Sequence, residues 1–161
     1  MDTIDIARSI IFQRLNAQSD LKIERHIIQN KIYLLHVLGV DLGYMFAWDE
    51  RGPYSKKLAH HINGAMDAYL ACDYSMWQLQ LDVDICIQKV EQVLEEKTQE
   101  MNVAQWTELL ASLAHILYNK ESWKVNDKEG MYKLLNGRYG KAQCQYAYEA
   151  LQKQGMLKGR I

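Results

Sequence analysis

One proline stands in this chain of 161 residues, and it sits where the helical pattern breaks. Pro53 fixes its own φ, removes a backbone donor and pushes the residue before it toward extended or turn geometry. That residue is Gly52, which tolerates positive φ. The pair closes a segment, residues 43–55, that also holds the densest aromatic run: Tyr44, Phe46, Trp48 and Tyr54. Tyr44, Phe46 and Trp48 alternate with Met45 and Ala47, which predicts a short strand. Asp49 to Pro53 then reads as a turn. Ser55 is placed to cap a helix over 56–69, with Leu58, Ile62, Ala65 and Tyr69 as its apolar stripe.

Around this break the pattern is helical. Ile4, Ala7, Ile11 and Leu15 give one face to a helix over 3–17. Asp20 is positioned to cap a helix of about 18 residues that ends near Gly39. The second half of that helix is apolar nearly all round, which marks it as the buried central helix. His36 within it reads as a core histidine with a hydrogen-bond partner. Ser75 with Gln78 and Asn102 with Gln105 have the spacing of capping boxes. Val103, Trp106, Leu110, Leu113 and Leu117 form a seam for packing within the chain.

The C-terminal stretch reads as a compact unit. Asn126 and Glu129 are placed to form the cap of a short helix bearing Met131, Leu134 and Leu135, which an αL cap at Asn136-Gly137 ends. A second helix carries Ala147, Ala150 and Leu151 and stops at Gly155, with a strand starting at Met156-Leu157. Helix, turn, helix and a β-like tail make a helix-turn-helix or winged-helix pattern. The expected fold is therefore mainly α (α+β), a helical domain with one small β-sheet, about six or seven helices and winged-helix-like character.

Charge divides the chain. Residues 1–118 hold 10 basic and 16 acidic side chains, whereas residues 119–161 hold 9 basic and 4 acidic. The division predicts an acidic helical body and a basic C-terminal unit within one compact domain. A basic end suits a polyanionic or acidic partner, and two solvated faces account for the split equally well. Hydrophobic residues at 48% suffice for a core, and 24% charged residues do not indicate disorder.

Candidate sites follow from these patterns. The exposed tip of the opening segment, Asp49, Glu50 and Arg51 with Tyr54, is the expected partner-binding surface. For nucleic acid the candidates are Lys128, Lys133, Arg138, Lys141, Gln143, Gln145, Lys158 and Arg160. Gln can read adenine, and Lys and Arg can hold phosphate or guanine. The competing reading is a helical pair that only packs. Ser55, His60 and His61 invite a hydrolase reading, but no GxSxG elbow is present and no carboxylate is identified to orient a histidine. Scattered histidines and cysteines lack metal-ligand spacing, and no phosphate-binding loop occurs, so no metal or cofactor is expected. Cys72, Cys86 and Cys144 have no CxxC spacing, and Asp2 and Asp5 stand where a leader would be cationic. These point to free thiols in a reducing cytoplasm. No apolar run spans a bilayer.

Lys31-Ile32-Tyr33-Leu34-Leu35, Gly39, the aromatic run Tyr44 to Trp48, and Gly52-Pro53-Tyr54-Ser55 with Leu58 together resemble a known pattern. It is that of small uncharacterised prokaryotic YwgA-type proteins, with an apolar helix, an aromatic strand and a GPYS helix start. More distantly the segment is similar to Panacea-type antitoxin domains and to middle components of three-component ATPase defence systems. The resemblance covers about residues 25–62 and carries over no catalytic residue. It implies a non-enzymatic adaptor or antitoxin-like subunit of a multi-protein system, defence systems included. The alternatives are a dimeric winged-helix DNA-binding regulator, with homo-oligomers as one possible assembly, and a small Ser-dependent hydrolase.

Overall fold

A computed structural model describes residues 2–157. Among them are nine helices and one two-stranded antiparallel sheet, the helix-dominated α+β arrangement the sequence predicts. Helix α1 spans Thr3–Arg14, α2 Lys22–Val37, α3 Lys56–Gly64, α4 Met66–Ala71, α5 Leu81–Glu95, α6 Val103–Tyr118, α7 Lys120–Trp123, α8 Lys128–Leu135 and α9 Lys141–Lys153. Strands β1 (Ala47–Asp49) and β2 (Gly52–Tyr54) lie between α2 and α3. Two helices exceed the expectation. The one foreseen over 56–69 breaks at Ala65 into α3 and α4, and α7 is a single turn after α6.

The centre of the molecule is α6 rather than α2. Twelve of its 16 residues are buried. Leu109, Leu110, Leu113 and Leu117 have no exposed surface, and each such side chain contributes ~1.5–3 kcal/mol by leaving water. The Asn102–Gln105 capping box forms as expected, with bonds of 2.8 and 3.0 Å. Helix α2 runs along α6, α9 and α5 pack on other sides, and β2 crosses both central helices. Trp106 buries its indole completely and donates to the Val93 carbonyl at 3.0 Å, so its N–H is satisfied in the core.

Helix ends account for most of the differences from the sequence reading. Helix α2 starts one residue later than Asp20 would allow, because the Glu24 carboxylate reaches back to the Leu21 N–H at 2.8 Å. It ends as expected at Gly39, whose φ of +97° lets the Val40 N–H bond the Leu35 carbonyl. Helix α8 is capped by Asp127, not Asn126. Asn136 remains right-handed at φ −61°, so no αL cap forms there; the Arg138 and Tyr139 N–H groups close the turn on the Leu135 carbonyl instead. Gly155 does stop α9, at φ +69°. The strand expected at Met156-Leu157 is absent: both residues are buried in the turn that follows. No helix begins at Ser75–Gln78, where residues 72–80 form a loop. His36 faces solvent at the rim of α2, beside the Phe46 ring at 5.2 Å.

The opening segment folds as a tight hairpin. Its register pairs Ala47 with Tyr54, Trp48 with Pro53 and Asp49 with Gly52, leaving Glu50 and Arg51 as the turn. The strand starts later than the aromatic alternation suggests, and Gly52-Pro53-Tyr54 is its partner strand rather than part of the turn. Tyr44 lies outside the strand, buried, with its hydroxyl 2.8 Å from His61 Nδ1. Arg8, also buried, donates twice to the Leu42 carbonyl and once to Asp5.

Candidate binding groove beside the hairpin

The hairpin stands against the rest of the protein through three fastenings. Gln29, buried in α2, accepts the Ser55 N–H and donates to the Ser55 carbonyl, both at 2.9 Å. Its side-chain amide thus serves the backbone as a neighbouring strand would. Trp48 packs edge-on to Trp123 at 4.8 Å and against His115 at 5.4 Å. The third fastening is electrostatic and lies beneath the turn.

There, Glu108 is the only Asp, Glu, Lys or Arg in α6, and its side chain is 4% exposed. Arg138, from the α8–α9 turn, forms an ion pair with it and donates to the Glu50 carbonyl at 2.8 Å. Arg51 Nη2 lies 3.5 Å and His26 Nε2 3.7 Å from the same carboxylate. Burial alone would raise the Glu108 pKa. The His26 and Tyr139 contacts and the Arg138 charge outweigh it and hold the carboxyl below its usual value. A buried carboxylate is tolerated because it is paired. Helix α2, the hairpin turn and the C-terminal unit thereby meet at one atom group.

Gly52 covers the floor of this region. Its φ is +126°, and a Cβ there would stand 3.3 Å from Ser112 Oγ. Ser112 Oγ and Asn30 Oδ1, both buried, have no hydrogen-bond partner among the described residues.

Above this support a groove of about 630 Å³ opens between the start of α2, the hairpin and α3. Asp49, Glu50, Arg51 and Tyr54 all line it, so the four expected partner-binding residues fall on one surface. Ile23, Pro53 and Ile62 supply apolar wall, and Lys22, Arg25 and His26 supply polar edge. Ile23 and Tyr54 are 50% and 38% exposed, apolar groups left at the rim. Asp49 also accepts the Glu50 N–H at 2.8 Å, which stiffens the turn.

The expected nucleic-acid residues are dispersed by comparison. Arg138 is turned inward onto Glu108 and Glu50. Lys141 pairs with Glu129 at 2.9 Å, and Lys128 lies over the Tyr148 ring at 4.4 Å. Tyr148 is buried. Gln143 accepts the Gly140 N–H as a helix cap. Lys133 and Gln145 are exposed, and Lys158 and Arg160 lie outside the described residues. Ser55 is fully buried and its Oγ accepts the Leu58 N–H at 3.2 Å, so its hydroxyl serves as a helix cap and has no access to a substrate. His60 is exposed and His61 half-buried, as their adjacent helical positions require.

Glu108, Gln29 and His26 escape a reading by motif. One signal did mark Glu108: it is the single Asp, Glu, Lys or Arg in a helix with a long apolar face. No known protein family, characterised protein or solved structure matches this chain.

Proposed function

We propose that this protein is a non-catalytic adaptor or antitoxin-like subunit that binds a segment of a partner protein in the hairpin groove. The observation that carries this reading is the convergence of Asp49, Glu50, Arg51 and Tyr54 on one open groove with exposed apolar rims. Exposed apolar surface rimmed by polar groups suits protein contact. Fastening of the hairpin by Gln29, Trp48 and Arg138 supports it further, because a wall ordered before binding costs less to engage. The resemblance of residues 25–62 to small uncharacterised YwgA-type proteins, and more distantly to Panacea-type antitoxin domains, points the same way.

Purification of the tagged full chain from its own host, with and without nuclease, tests this. A stoichiometric protein that survives nuclease and is lost with Ile23→Asp plus Tyr54→Ala is the expected result. Equal recovery with the variant, or no protein at all, overturns it.

A second reading, a dimeric DNA-binding regulator, draws support from the α8–turn–α9 pair and the exposed Lys133, Lys141 and Gln145. It requires affinity for duplex DNA that falls steeply with salt and weakens in Lys133→Ala plus Lys141→Ala. Binding indifferent to both removes it.

A further inference from the structure

The loop between α4 and α5 presents large apolar side chains to solvent. Met76 is 91% exposed and Trp77 52%, and the first turns of α5 add Leu81 at 74% and Ile85 at 43%. Leu81 and Ile85 are four residues apart and share a helix face. The loop is held in this form by its own hydrogen bonds. The Trp77 N–H bonds the Tyr74 carbonyl at 2.7 Å, and the Ser75 N–H bonds Asp73 at 2.9 Å. Beside the patch lies a cavity of about 280 Å³, bounded by Trp77, Leu81 and Ile10, with the Arg14–Asp84 ion pair at its edge. An ordered apolar patch with a cavity at its base suits the insertion of one bulky anchor.

Charge decides what kind of partner fits. Asp73 and Asp82 are exposed around the patch, and Asp84 is half-exposed. Arg14, the basic residue lining the cavity, is already shared between Asp84 and Glu91. Lys89 lies a further turn along α5, beyond Ile85. A second copy docking by two-fold symmetry would set this acidic rim against itself, which is unfavourable. A cationic surface meets it favourably.

We propose that this face docks a basic amphipathic helix of a partner protein. An apolar side chain of that helix enters the cavity between Trp77 and Leu81, and its Lys or Arg residues stand near Asp73 and Asp82. The surface is separate from the hairpin groove and does not rest on it.

The test uses the full chain and a short fluorescein-labelled amphipathic peptide of Leu and Lys, titrated by anisotropy at physiological ionic strength. A peptide with Glu in place of Lys is the control. The Leu/Lys peptide is expected to bind at least about tenfold more tightly than the control. Met76→Ser plus Leu81→Ser, at positions too exposed to carry the fold, should weaken it by about tenfold or more. Asp73→Asn plus Asp82→Asn should weaken it severalfold, and Tyr54→Ala should leave it unchanged. Absence of binding, or binding indifferent to the Met76/Leu81 variant, overturns the proposal. So does sedimentation that finds a dimer abolished by that same variant, since the patch would then be covered by a second copy.

Discussion

Gln29 and Ser55 exchange two hydrogen bonds of 2.9 Å, one in each direction, between a side-chain amide in α2 and the backbone that leaves β2. Both residues are buried, so neither backbone group has water as an alternative. A buried group left unpaired costs ~1–3 kcal/mol. Gln29→Leu should therefore lower stability by ~2–4 kcal/mol in urea unfolding. A loss below ~0.5 kcal/mol would mean that the amide is dispensable.

Glu108 and Arg138 invite a double-mutant cycle. Arg138→Ala leaves the buried carboxylate with only His26 and the exposed Arg51 as charged partners, and partial exposure of the lost guanidinium brings the expected cost to ~1–3 kcal/mol. Adding Glu108→Gln to Arg138→Ala should recover part of that loss, because the under-compensated buried charge disappears. Strict additivity of the two changes in denaturant unfolding contradicts the pairing.

Gly52→Ala meets two obstacles at once. The φ of +126° is one that L side chains rarely adopt, and the new methyl would press on Ser112 Oγ. The strain expected is ~1–3 kcal/mol. Exchange of amide hydrogens at Asp49 to Tyr54 should speed up as the hairpin loosens. Unchanged exchange and unchanged stability together would refute the packing described.

Acid should weaken the fold in two stages. Burial lowers the pKa of His115 below 6.5, and burial with the Arg8 and Lys57 charges does so for His61. A histidine depressed in the folded state takes up its proton more readily when unfolded. Its stabilising contribution is complete above about pH 6.5 and shrinks as pH falls below it. His115 Nδ1 also accepts the Trp123 indole N–H at 3.0 Å, a bond its protonation would break. The depressed Glu108 carboxyl adds a second loss, as pH falls below the usual value of 4.5. Unfolding free energies at pH 8, 6 and 4 measure both stages. In His115→Gln the slope between pH 6.5 and the acid stage should flatten, and an identical slope would exonerate that residue.

Much of the architecture is written locally. The Asn102–Gln105 box, the Ser55 cap and the Gly39 and Gly155 stops depend on neighbours three to five residues away, and a sequence displays such neighbours. Competing caps are harder: Glu24 outbids Asp20, and Asp127 outbids Asn126, by geometry that residue type alone does not encode. The hairpin was visible as a break, but its register was not, because Pro53 reads as a turn residue until Trp48 is seen opposite it. The groove's tip was legible from exposed charges beside a fixed turn. Its foundation was not, since Gln29, Glu108 and Arg138 come from three distant stretches and converge only by tertiary packing. The basic C-terminal charges divide in a similar way. Spacing cannot show that Arg138 turns inward while Lys133 faces water.

The link from Arg138 to Glu50 joins residues 88 apart in sequence. During synthesis the hairpin and α6 emerge from the ribosome before the α8–α9 turn does. Until it does, Glu108 has only Arg51 and His26 as charged partners, and the hairpin turn lacks its last clasp. The acidic body thus takes one of the fastenings of its groove from the basic C-terminal unit. A chain stopped after α6 would hold a groove without that fastening, and the α8–α9 turn acts as its keystone.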